Sequence, residues 1–204
     1  MGTSTFLDIL GSMIIGGLLL LVALRMNDQA TANTFQSQEQ LTVQQNITSL
    51  INNIESDFRK IGYCANPDAI PQNFNLIPYG NTTDIKFLVD LNKDGSVDTV
   101  EWYLGTTATS PNPNVRTLYR KVTYSNGTVY NYFSNLGVTL FTLRYFNSID
   151  TTDSVNVPII GTTTAKIIEV TLQVQPSFAY DTAYSSNVSV WRQTRLVSLN
   201  LIKR

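Results

Sequence analysis

Residues 90–101, DLNKDGSVDTVE, hold the densest set of oxygen ligands in the chain. Asp90, Asn92 and Asp94 stand at positions 1, 3 and 5 of a twelve-residue calcium loop. Gly95 takes position 6, where such a loop turns sharply. Ser96 supplies a backbone carbonyl at position 7, Asp98 fits position 9, and Glu101 fits position 12 as a bidentate ligand. Oxygen donors without nitrogen or sulfur suit a hard cation, so a structural Ca2+ is one reading. The other is an acidic turn that binds nothing. Glu101 alternates with Val100 and Trp102, which directs its side chain away from the core.

Other chemistry is sparse. The chain has no histidine, which excludes a Ser-His-Asp triad, a His-ligated zinc and a His-ligated haem. Cys64 is the single cysteine and forms no intrachain disulfide. No nucleophile-base pair and no glycine-rich phosphate loop is present, so no enzyme is expected. A net charge of −1 gives no electrostatic case for nucleic acid.

The elements that position the loop follow one order. Residues 6–24, FLDILGSMIIGGLLLLVAL, form an apolar run of about 19 residues, which as a helix spans roughly 29 Å, the thickness of a bilayer's hydrocarbon core. Three readings stand: a cleaved secretory signal, a plain membrane anchor, and a helix that leaves the membrane to pack with copies of itself. Asp8 inside the run favours the third, since an intramembrane acid usually has a partner; alternatively it snorkels to the interface. Gly11, Gly16 and Gly17 add to it, because glycines admit close helix contact.

From Val43 onward the apolar residues Val43, Ile47, Leu50, Ile51, Ile54, Phe58 and Ile61 fall on one helix face. Gly62 is the expected stop. Strands are expected over 85–89, 100–104, 118–124, 128–133, 138–146, 166–175 and 190–202, with Asn126-Gly127 as a hairpin turn. The fold class is thus α+β: a long N-terminal helix, membrane-spanning in its first half and amphipathic in its second, packed on a mainly antiparallel β-sheet. The expected segments are a hydrophobic helix over 1–25, its amphipathic extension over 26–63 and a globular β domain over 64–204.

This order resembles that of type IV pilin-like proteins, most of all the PilW-type minor pilins and the J-type pseudopilins of type II secretion. The stretches that carry the resemblance are STFLDILGSMIIGGLLLLVAL, IESDFRKIGYCANP, IKFLVDLNKDGSVDTVEWYL, LYRKV, GVTLFTLRYF and TRLVSLNLIKR. It implies a pilin-like fold and a structural subunit that passes from the inner membrane, by way of pilus or type II secretion machinery, into an extracellular helical homopolymer. Assembly residues would be Phe6, Asp8, Gly16 and Gly17, with Asp8 pairing with a neighbour's N-terminal amine if the mature chain starts at Ser4. The alternatives are a minor pilin or pseudopilin, or a monomeric membrane-anchored binding module outside the cytoplasm.

Overall fold

The structure, a computed structural model, describes residues 2–70, 74–148, 153–160, 165–177 and 190–202. Helix α1 (Gly2–Phe58) is followed by a 3-10 turn at Pro67–Ala69 and ten strands. These are β1 (Tyr79–Gly80), β2 (Asp84–Val89), β3 (Asp98–Thr107), β4 (Arg116–Thr123), β5 (Val129–Ser134), β6 (Val138–Phe146), β7 (Ser154–Val155), β8 (Ile159–Ile160), β9 (Ile167–Val174) and β10 (Val190–Val197). A last helical turn, α2, covers Leu199–Ile202.

The chain divides into two compact units, Met1–Leu41 and Thr42–Arg204. The first holds the helix up to Leu41. Among the described residues its large apolar side chains are all exposed, from 40% at Leu10 to 76% at Met13. This helix is long and apolar enough to cross a membrane, which is consistent with anchoring.

The second unit begins at the amphipathic stripe. Val43, Ile47, Leu50, Ile51, Ile54, Phe58 and Ile61 are all buried in one core with strand residues such as Phe87, Trp102, Phe141 and Val170. The unit boundary therefore falls inside the expected 26–63 extension, because the stripe ties the helix to the strands from Val43 on.

The helix also stops earlier than expected, at Phe58 rather than next to Gly62. Gly62 has φ +72°, and a Cβ there would lie 2.5 Å from Leu76 Cδ1, so the chain turns on a glycine that no other residue replaces without displacement. Its N–H donates to the Leu88 carbonyl at 2.7 Å, which joins the turn to β2. Ser198 Oγ donates to the Ile61 carbonyl at 2.7 Å, and Asn200 Nδ2 donates to the same oxygen at 3.3 Å. The expected strand over 190–202 accordingly ends at Val197, where Ser198 bends inward to make this bond.

One sheet was expected and two are found, all of their pairings antiparallel. The six-stranded sheet runs β5-β4-β3-β2-β1-β8 and the four-stranded sheet runs β10-β9-β6-β7. Phe141, Leu143 and Tyr145 face the core from β6 as their alternation predicts. The two sheets touch where Leu143 N–H donates to the Thr82 carbonyl at 2.7 Å and the Tyr145 hydroxyl to the Asn81 carbonyl at 3.0 Å. The Asn126-Gly127 hairpin forms as expected: Gly127 has φ +84°, and its N–H donates to the Tyr124 carbonyl at 2.9 Å.

Candidate functional site

The loop between β2 and β3 closes around two carboxylates. Asp90 is buried, and its Oδ2 accepts the N–H groups of Ala65 and Gly95, each at 3.0 Å. Its Oδ1 accepts the Asp94 N–H at 3.1 Å. Burial alone would raise this carboxyl, but the N–H groups of Ala65, Gly95, Lys93 and Asp94 hold it below the ordinary carboxylate range. Asp98, fully buried, accepts the Leu91 N–H at 2.9 Å on one oxygen and the Ser125 N–H at 3.0 Å on the other. It therefore ties this loop to the β4–β5 hairpin.

Asp94 is held in the turn by Asn92 Nδ2 at 2.8 Å and by the Ser96 N–H at 2.7 Å, and these donors keep its carboxyl low. Gly95 (φ +83°) supplies the sharp turn that the sequence pattern requires, and Lys93 (φ +63°) shares the left-handed backbone.

Asp90, Asn92, Asp94, Ser96 and Asp98 thus share one loop, knit by backbone amides. Glu101 does not join them. Asp98, Val100 and Trp102 lie on the buried face of β3, whereas Glu101 lies on the other face, with Oε2 3.9 Å from Lys121 Nζ on β4. Strand alternation is the cause, as the sequence led one to expect. Among the described residues, no group of three or more His, Cys, Asp or Glu side chains is placed to hold a metal ion.

Two ionic clusters stand elsewhere, and neither was anticipated. Asp57, in the last turn of α1, is buried and receives Arg120 from β4 in a two-pronged pair, through Nε and, at 3.0 Å, through Nη2. The Trp102 indole N–H donates to the same carboxylate at 2.9 Å, and the Arg120 guanidinium lies 5.4 Å from the centre of the Tyr132 ring. The signal in the sequence is that Arg120 alternates with Leu118 and Val122, which puts a cation on a core-facing row beneath the helix.

Glu169 on β9 is the second centre. It is buried, with Arg195 Nε at 2.8 Å and Arg144 Nη1 at 3.4 Å, and both guanidinium groups rest over the Phe146 ring. Burial raises its carboxyl, but hydrogen bonds from Arg195 and Gln193 and the two Arg charges prevail and hold it low.

In the first unit, Phe6 and Asp8 are exposed, and a Cβ added at Gly11, Gly16 or Gly17 would meet no atom within 4 Å. No contact inside the chain therefore requires these glycines, although each costs about 1 kcal/mol relative to Ala in a helix interior.

Compared with family models, curated proteins and solved structures, the chain matches none.

Proposed function

We propose that this chain is a structural subunit of an extracellular, type IV pilus-like filament and polymerises through its N-terminal helix. The observation that carries the reading is the continuous apolar surface over residues 6–24, exposed all round and interrupted by glycines that no internal contact explains. Outside lipid such a surface aggregates unless it is covered. Identical helices cover it when the contact runs head to tail without closing, and the product is a helical filament. Burying ~15 apolar side chains at about 1.5–3 kcal/mol each supplies tens of kcal/mol before association entropy is subtracted, so few polar contacts are needed.

In this reading the inner membrane holds the helix before assembly, and pilus or type II secretion machinery extracts it. The unit from Thr42 to Arg204 carries its own core, in which the Asp57–Arg120 pair joins the last turn of α1 to β4. Calcium at the 90–101 loop is not part of the assembly reading. The test is electron microscopy of material sheared from the cell surface, with mass spectrometry of its N-terminus. Uniform fibres made mainly of this chain support the reading. Absence of fibres, with the chain retained in the membrane fraction, replaces it with a tethered module or a minor component.

A further inference from the structure

The six-stranded sheet extends past the helix that covers it. Helix residues up to Asp57 seal Trp102 and Leu118 beneath them, but the edge strand β5 is left uncovered. Between helix and edge lies an open cleft of about 520 Å3, a volume within the range of small-ligand sites. Trp102 pairs with Arg120 across β3 and β4, and Arg120 with Tyr132 across β4 and β5, so the Tyr132 ring stands on the helix-facing side of the sheet. The Tyr130 ring lies next to it, with centroids 6.4 Å apart and planes 19° from parallel.

The polar groups of the cleft define its chemistry. Asp57 and Arg120 neutralise each other, and among the described residues no other charged side chain lines it. Arg120 uses Nε and Nη2 on Asp57, which leaves the Nη1 hydrogens without an acceptor among the described residues. Asn53 and Ser56 add an exposed amide and an exposed hydroxyl on the helix rim.

A charged ligand finds no counter-charge here, and a purely apolar one leaves donors and hydroxyls unmet. A ring with one C–H face and a rim of hydroxyl groups meets both demands. We propose that this cleft is a binding site for a neutral saccharide, its apolar face on Tyr132 and its hydroxyls on Asn53, Ser56 and the free N–H groups of Arg120. The proposal goes beyond filament assembly and is tested without filaments.

The experiment uses the full chain in a zwitterionic detergent without a sugar headgroup. Maltose, cellobiose, lactose and N,N′-diacetylchitobiose are titrated while the Trp102 indole N–H resonance is followed, assigned with Trp191→Phe. At least one disaccharide is expected to give a saturable shift with a dissociation constant on the order of millimolar. Tyr132→Ala should weaken it about 10-fold, the size of one ring contact, while Tyr132→Phe retains it. Both variants leave the core untouched, since Tyr132 is half exposed. No shift with any of the four sugars up to about 50 mM, or a shift that Tyr132→Ala leaves unchanged, overturns the assignment.

Discussion

The two parts of helix α1 obey opposite rules. From Val43 the helix buries a narrow stripe and exposes the rest, and every stripe residue is packed against strands of the same chain. Before Leu41 it is apolar on all sides over residues 6–24 and buries none of its large apolar side chains. An amphipathic helix is completed by its own domain. A helix apolar all round is completed by lipid or by other copies. In the proposed reading the contrast gives folding to one part and association to the other, and substitutions should separate them.

The largest effect belongs to the association part. Ile14→Asp combined with Leu18→Asp should remove the chain from membrane and fibre fractions alike. The melting of the second unit should stay put, because exposed positions outside it change stability by no more than about 0.5 kcal/mol. A melt lowered together with assembly would break the division.

Next come substitutions in the folding part. Ile54→Ala empties a fully buried site and should cost about 2–5 kcal/mol in denaturant unfolding. Asp57→Ala leaves Arg120 without its counter-charge and the Trp102 indole without its acceptor, at an expected cost of about 3 kcal/mol. Neither should stop residues 6–24 from partitioning into a bilayer, which flotation with vesicles measures.

Acid sharpens the picture inside the second unit. The carboxyls of Asp90 and Glu169 are held below their ordinary values, so each stabilises the fold above that range and loses its contribution as pH falls through its lowered value. Thermal melts should therefore fall as pH drops below about 4. Glu169→Gln should lower the melt at neutral pH and flatten the acid fall, since the group that titrates has gone. An equally steep fall in that variant would remove Glu169 from the account.

The smallest expected effect concerns the 90–101 loop. Closure by the amides of Ala65, Asp94, Gly95, Leu91 and Ser125 predicts that chelation leaves the melt where it is. A melt that falls on chelation and recovers with calcium would place a cation among these carboxylates.

Legibility in the sequence followed the range of the forces involved. The stripe from Val43, the strand alternation in β6 and the Asn126-Gly127 turn are local patterns, and each appears where its spacing put it. The helix end was misplaced because Gly62, Leu76 and Ser198 fix it jointly from distant parts of the chain. The division into two sheets and the Asp57–Arg120 and Glu169 clusters depend on which strands meet, and residue spacing alone does not carry that information. At the acidic loop the spacing located Gly95 and the clustered acids, while the amides that fill their lone pairs come from residues such as Ala65 and Ser125 outside the motif.

The central claim is that residues 6–24 drive self-association. Its most direct test is electron microscopy of the purified full chain as detergent is withdrawn without lipid, beside the Ile14→Asp/Leu18→Asp chain. The account predicts long fibres of uniform width from the first and dispersed particles from the second. Fibres from both, or amorphous or monomeric material from the unaltered chain, would contradict it.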